Sequence, residues 1–424
     1  HRAHQEHRAS VVAASSAEAV QALRALADGR VHPALATGTA AAGSGLALLF
    51  TGQGSQRLGM GRELYAAFPE FRRALDEACA ALDPHLRLPL VAVLFGAPDG
   101  PDAALIHETE FTQPALFALE VALFRLWQSW GAVPAAVAGH GVGEVAAAHA
   151  AGVLDLADAA RLVAARGTLA QACEQGGAMA SVQACESDVI EAVTRVGGRV
   201  ALAAVNGPET VVSGDAAAVE AVMAWCAGEG RRVRRLAVPR AFHSPHMDAM
   251  LGEFARAVAR CRFGEPSIPW VSTVTGAVAS AGEVSDPAYW VRQVRGTVRF
   301  VDAVRTLERA GVGRYVECGP AGVLTAMGAS CVRQPAVFVP SQSAAREADA
   351  PAGEVRSLVR ALGALHVAGQ DIAWERVFAT GTPVDLPIYA FQREPTPEAR
   401  RRVSARSEGD SPSSDSRVTV QLRS

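Results

Sequence analysis

Three features of the sequence predict an α/β protein, with a large α/β-hydrolase-like subdomain and an inserted ferredoxin-like one. Residues 135–152, AAVAGHGVGEVAAAHAAG, read as a short apolar strand (134–138), a tight turn at 139–143 and a helix from Val142 towards Ala151. This is the layout of a nucleophile elbow, in which G-x-S-x-G lifts one side chain onto a sharp strand-to-helix turn. A second apolar run of strand length, 46–50, also leads through glycines into a helix. Third, residues 177–238 spell out the order βαββαβ by themselves.

Along the chain, residues 1–45 begin with HRAHQEHR, a predicted strand at 11–14 and a helix at 17–26. They fade into ATGTAAAGSG, a linker signal. The turn after strand 46–50, TGQGSQRLGMG, lacks dinucleotide spacing, so its glycines are expected to expose backbone N–H groups near Gln53. Helices are predicted over 60–82 and from Gln113, with Pro114 in the first turn. The second of these is apolar almost all round, which makes it a central buried helix.

The elbow's flanking glycines, Gly139 and Gly143, give the turn steric room. Helix 156–173 follows, with Arg161 on a solvated face and Arg166 among Val163, Ala164, Leu169 and Ala170. An inward Arg166 needs an anionic partner. From the pattern alone a snorkelling surface arginine is the simpler reading.

In the inserted unit, strands are predicted at 178–183, 200–206, 210–213 and 232–238, and helices at 186–196 and 216–229. Asn206-Gly207-Pro208 marks the central turn. RRVRR at 231–235 reads as a strand edge protected by charge, with a patch for an acidic partner or a phosphate as the alternative. His243 then lies in a Pro-bounded loop, PRAFHSPHMD, where a catalytic group can re-enter the larger subdomain. H-x-x-H beside Asp248 lacks both a helical i,i+4 pair and a third ligand cluster, so no metal is expected. Strands at 270–274, 314–317 and 337–339 and helices over 289–311, after Gly319-Pro320 and at 353–367 complete the order. Residues 345–352 and 394–424 are polar, charged and Ser/Pro-rich, the composition of disorder.

Composition narrows the function. The chain has 424 residues, is 50% hydrophobic and carries a net charge of −3, which argues for neither nucleic acid nor a membrane surface. No apolar run is long enough to span a bilayer and the first residues lack a signal core, so a cytoplasmic protein is expected. Seven scattered cysteines are expected to be reduced and buried. All 40 basic residues are arginine. Without lysine, a Walker A loop, a kinase site and a pyridoxal phosphate Schiff base are excluded.

FTGQGSQRLGMG, FTQPALFALEVALFRLWQSWG, GHGVGE, LVAARGTLAQA, AAVNGPETVVSGD, RAFHSPHMD and VECGPAGVL follow one another in order. Over about residues 46–340 the chain therefore resembles the acyltransferase domain of a modular type I polyketide synthase, related to malonyl-CoA:acyl carrier protein transacylases. Residues 1–45 resemble the linker from a preceding ketosynthase, and VDLPIYAFQRE at 384–394 the segment that wraps back after the domain. The resemblance implies a large subdomain over 46–176 and 239–345, a small one over 177–238, a following helix and linker over 346–393, and a tail over 394–424.

It also implies roles. A serine at the position of Gly141 attacks a CoA thioester, and His243 takes its proton, oriented by a backbone carbonyl near Ser272 or Thr273. The N–H groups of Gln53 and Val142 hold the oxyanion. Arg166 clamps the free carboxylate of a malonyl group, and His140 and Asn206 stand near the site. Gln113, Val142, Ala241 and Phe242 resemble the malonyl-selective pattern, with Phe242 crowding an α-methyl group by ~1–3 kcal/mol. The family's malonyl motif has histidine where this chain has Arg240, so Arg240 is expected to bear on the choice of extender unit. No cofactor is implied: the donor is malonyl-CoA or a related acyl-CoA, and the acceptor is the phosphopantetheine thiol of an acyl carrier protein. The implied partners are that carrier, a ketosynthase and other domains of the same megasynthase, with no nucleic acid and no membrane.

Gly141 removes the nucleophile, so no acyl-enzyme can form. Intact Gln53, Arg166 and His243 favour a recent or deliberate change, leaving an inert form that still binds malonyl-CoA. The alternatives are a serine hydrolase or thioesterase, with an acid behind its histidine and no need of a buried arginine, and a natively inactive scaffold domain.

Overall fold

The computed structural model describes residues 4–41, 43–343 and 353–378. The stretches expected to be disordered, 345–352 and 394–424, and the wrapping segment 384–394 lie outside these residues.

The described strands are β1 (His7–Val11), β2 (Leu35–Thr39), β3 (Gly45–Phe50), β4 (Ala136–Gly139), β5 (Gly177–Val182), β6 (Val200–Val205), β7 (Thr210–Asp215), β8 (Val233–Arg235), β9 (Trp270–Val271), β10 (Val312–Cys318) and β11 (Val337–Pro340). β1 and β2 pair antiparallel around helix Ser16–Ala27. This corrects two expectations. The first strand lies at His7–Val11 rather than 11–14, and the start of the expected linker, up to Thr39, is strand. Thr37 and Thr39 favour strand and find partners in Ala9 and His7, which outweighs the poor propensity of Ala36 and Gly38. Helix Glu354–Val367 packs on this pair, with Arg8 Nη1 donating to His366 O at 3.0 Å and Arg356 bridging Glu18 at 2.6 Å.

The main sheet runs β11–β10–β3–β4–β9, all parallel. The order reverses between β3 and β10, and in such sheets ligands bind beyond the carboxyl ends of the strands near that reversal. Helix Thr109–Ser129 is buried over most of its surface, with Arg125 exposed near its end, as its almost wholly apolar surface predicts. It starts four residues earlier than expected, which places Pro114 in the second turn rather than the first.

The inserted unit folds as predicted, into an antiparallel sheet β6–β7–β5–β8 with helices Glu186–Val196 and Ala216–Gly228 on one face. That is the ferredoxin-like order. Ala180, Val182 and Val212 bury against Val189 and Val222 to make its own small core. β8 is an edge strand, and its arginines blunt that edge.

Three predicted elements are interrupted. Helix 60–82 divides into Arg62–Ala67 and Pro69–Leu82, because the residue before Pro69 is driven into an extended conformation. Strand 270–274 stops at Val271, where the Ser272 hydroxyl accepts from Val274 N and Thr275 N and turns the chain. Helix 289–311 becomes Pro287–Arg295 and Phe300–Arg309, since Val298 leaves the helix to pair beside Ala204 of β6. That last break has a consequence in the site. Six of the seven cysteines are buried free thiols, and Cys185 is exposed rather than buried. Among the described residues no helix is long and apolar enough to cross a membrane.

Candidate active site

The elbow forms between β4 and helix Gly143–Ala150. A Cβ on Gly139 would run into the backbone of Gly143 and Glu144, and one on Gly143 into the carbonyls of Phe50 and Thr51. Only glycine permits this close approach of turn, helix and β3. Gly141 stands at the apex with φ of 55°, a conformation strained for a side-chain-bearing residue and typical of the elbow's nucleophile. There the cavity is open, and a Cβ would meet only His243 Nε2, at 3.5 Å.

His243 is the single non-glycine residue of positive φ among the described residues, also at 55°. Such strain persists only where the surroundings impose it, and it clusters at functional sites. Its Nδ1 lies 2.9 Å from the carbonyl of Gly296, the residue at which the helix break occurs. A carbonyl can only accept, so Nδ1 carries the proton and Nε2 presents a lone pair towards Gly141. The carbonyl expected from Ser272 or Thr273 thus comes instead from Gly296. Ser272 and Thr273 serve the elbow from behind: Thr273 Oγ1 donates to Gly139 O and Thr273 N to Glu144 Oε1, both at 2.8 Å. Burial, then the nearby charge of Arg166, push the His243 imidazole down to about 3, so it is neutral near pH 7.

Arg166 points inward and is 4% exposed, which overturns the snorkelling reading. Its guanidinium is held by neutral amides: Nη1 donates to Gln113 Oε1 at 2.8 Å and Nε to Gln293 Oε1 at 3.2 Å. Gln113 in turn donates to Gln53 Oε1 at 3.3 Å, and Gln293 Nε2 to Gly141 O at 2.5 Å. No carboxylate forms an ion pair with Arg166 among the described residues. Burial lowers its affinity for its proton to about 10, opposed by the charge of Glu144. A buried cation held only by dipoles is costly unless an anion completes the site.

The N–H groups of Gln53 and Val142 donate to no other described residue. His140 Nε2 lies 3.0 Å from Asn206 Oδ1, which ties the elbow to the β6–β7 turn. Gln53, Gln113, His140, Gly141, Val142, Arg166, Asn206, Phe242 and His243 all line one cavity of about 560 Å³. It opens beyond the ends of β3 and β4 and is walled on the other side by the small sheet.

Residues 47–371 match the model of the acyl transferase domain family. The chain is 47% identical to the acyltransferase domain from the second module of the salinomycin polyketide synthase, with a TM-score of 0.82 over 91% of this chain and 89% of that one. It belongs to the acyltransferase domains of modular polyketide synthases. It is also 48% identical to polyketide synthase GfsA of Streptomyces halstedii over 92% of its own length, and spans 5% of that protein. To the malonyl-CoA:acyl carrier protein transacylase of Xanthomonas oryzae the identity is 36%, with a TM-score of 0.64 over 71% of this chain and 95% of that one. The chain is therefore a transferase domain of mixed α/β fold with a ferredoxin-like subdomain.

Two residues named from the sequence stand apart from the cavity of this acyltransferase domain. Arg240 is turned away: Nη2 donates to Gln171 O at 2.8 Å and Nη1 to Pro239 O at 3.0 Å, binding the His243 loop to the last turn of helix Leu156–Ala172. The Gln171 carbonyl, in the last turn of its helix, attracts a cation more strongly than the apolar cavity wall does. Ala241 is buried against Gly177 at the start of β5. His246 and Asp248 do not converge: His246 Nε2 meets Asp215 at 2.7 Å, and Asp248 pairs with Arg295 at 2.6 Å.

The sequence reading missed Gln293, Gly296 and Glu144. Gln293 and Gly296 sit on a helix end more than 150 residues from the elbow, with no local pattern to mark them. Glu144 was visible within GHGVGE. Its Oε1 also accepts from Tyr289 OH at 2.8 Å, and burial raises its carboxyl to about 7 against the pull of those donors.

Proposed function

We propose that this acyltransferase domain binds a malonyl thioester of CoA, and that Gly141 leaves it an inert, substrate-binding form of a Ser–His transacylase. The observation that carries the reading is Arg166: a buried guanidinium without a carboxylate partner among the described residues, lining the cavity that contains the elbow apex. Its unused donors suit the free carboxylate at the far end of a malonyl group, where bidentate charge-assisted bonds are strongest. The likeness to the Xanthomonas oryzae malonyl-CoA:acyl carrier protein transacylase supports the same acyl class.

With serine restored at position 141, Oγ attacks the thioester carbonyl and its proton passes to His243 Nε2. The N–H groups of Gln53 and Val142 receive the oxyanion, the C–S bond breaks, and the imidazolium returns the proton to the departing thiolate. A carrier's phosphopantetheine thiol then reverses the sequence and takes the acyl group. Gly296 O fixes the imidazole tautomer, doing without the acidic third member of a hydrolase triad, which favours transfer over the hydrolase alternative. Phe242 on the cavity wall limits the α-substituent. Arg240 acts on selectivity only through the loop it anchors.

Isothermal titration of the chain with malonyl-CoA and acetyl-CoA tests this. Saturable binding of malonyl-CoA, strongly weakened on Arg166→Ala, is expected. A folded protein that binds neither, or binds both equally, contradicts it.

A further inference from the structure

The RRVRR run contains one arginine that the fold leaves unpaired and turns towards the cavity. β8 pairs with β5 so that Arg235 lies opposite Ala180, Arg234 opposite Ser181 and Val233 opposite Val182. Ala180, Val182 and Val233 belong to the apolar cluster under the two helices. Arg235 shares that face and reaches Glu220 at 2.5 Å. Arg231 pairs with Asp188 at 2.7 Å, and Arg232 Nε donates to Gln183 Oε1 at 2.6 Å.

The strand's period of two sends Arg234 to the opposite face. That face, with Met179 of β5 and Val211 of β7, forms one wall of the elbow cavity, and Arg234 is among its lining residues. Among the described residues Arg234 makes neither an ion pair nor a side-chain hydrogen bond. The charged lining is thus buried Arg166, exposed Arg234 and one carboxylate, Glu209. His140, like His243, is kept neutral by burial. Two cations at different depths of one cleft match a ligand that is anionic at both ends.

We infer that Arg234 is a phosphate subsite: it takes the phosphate of a pantetheine-bearing thioester whose acyl end lies at Arg166. The inference rests on the thioester reading above. The phosphate has two sources, the nucleotide part of CoA and the phosphodiester that joins the pantetheine arm to a carrier. Both present it at the end of the arm remote from the thiol, where an exposed arginine on the cavity wall can meet it. Glu209 on the same wall selects against a second carboxylate there.

The test is equilibrium binding to the chain and to Arg234→Ala, with Arg235→Ala as the control from the other face of the strand. The probes are CoA, 4′-phosphopantetheine, pantetheine and malonyl-CoA, and unchanged thermal midpoints exclude unfolding. Arg234→Ala is expected to weaken CoA and malonyl-CoA about tenfold, to leave pantetheine unchanged and to flatten the salt dependence of CoA binding. Arg235→Ala should change none of these. Loss that extends to 4′-phosphopantetheine assigns the phosphate shared with the carrier arm, and loss confined to CoA assigns the nucleotide phosphates. Equal effects of the two variants, no effect of Arg234→Ala on CoA, or the same loss with pantetheine overturns the subsite. CoA carries no malonyl group, so its response is independent of the malonyl reading, which fails separately if malonyl-CoA binds no better than acetyl-CoA.

Discussion

A Cβ built on Gly141 stands 3.5 Å from His243 Nε2, in ordinary van der Waals contact, and both residues hold φ of 55°. Two left-handed residues thus face each other across the cavity, each kept there by a different device. Gly141 is kept by the glycine-flanked turn, and His243 by the hydrogen bond from Nδ1 to Gly296 O. The geometry awaits a hydroxyl without depending on one, so the rest of the site survives its absence.

Arg166 should dominate acyl recognition. Arg166→Ala is expected to weaken malonyl-CoA by about ten- to a hundredfold while changing acetyl-CoA little, measured by titration calorimetry. Arg166→Lys should recover only part of the loss, since a point charge cannot replace two planar donors held by Gln113 and Gln293.

Gln293 offers a sharper test, because it touches both Arg166 and the elbow carbonyl. Gln293→Glu sets a carboxylate against Arg166 Nε and would neutralise the site from within. The expected outcome is a folded protein that has lost malonyl-CoA binding, whereas Gln293→Ala retains weakened binding. Equal affinity in the Glu variant would contradict a charge-based role for Arg166.

Phe242→Ala removes bulk from the cavity wall. In a competition between malonyl-CoA and methylmalonyl-CoA it should move the preference towards the branched substrate by about tenfold, within the ~1–3 kcal/mol that a methylene commands. Arg240→His, at a residue that lies off the wall, should alter that ratio less.

Glu144 links the elbow to pH. Its folded carboxyl, at about 7, lies above the unfolded value near 4.5, so its contribution is fully present below pH 4.5 and is lost as pH rises through 7. Gln at this position still accepts from Thr273 N and Tyr289 OH and cannot ionise. The thermal midpoint of Glu144→Gln should therefore gain on the parent between about pH 5 and 8, by an amount on the order of 3 kcal/mol at most. A constant difference across that range would show that Glu144 does not titrate there.

How much of this was legible in the sequence follows from how local each feature is. The elbow, the buried helix Thr109–Ser129 and the βαββαβ unit are written in short-range patterns of glycines and apolar residues, so their type and order were legible, while ends such as the start of that helix and the length of β8 were not. Arg166 lies on a helix whose pattern suits an outward arginine, and only the packing of that helix against Gln113 and Gln293 turns it inward. The Gly296 carbonyl was misplaced because it depends on a helix break, and the break depends on Val298 pairing with β6, some hundred residues earlier. Arg240 misled through motif position: Phe242 and His243 beside it line the cavity, but its guanidinium follows the helix-end carbonyl of Gln171.

The most direct measurement is the intact mass of Gly141→Ser after incubation with malonyl-CoA, compared with Gly141→Ser carrying His243→Ala. One malonyl adduct on the first protein and none on the second is the predicted result. Its formation rate should show no inflection near pH 6.5, because a histidine held at about 3 remains a base down to acidic pH. No adduct on a folded Gly141→Ser protein would contradict the account, and would mean that the site lacks more than one hydroxyl.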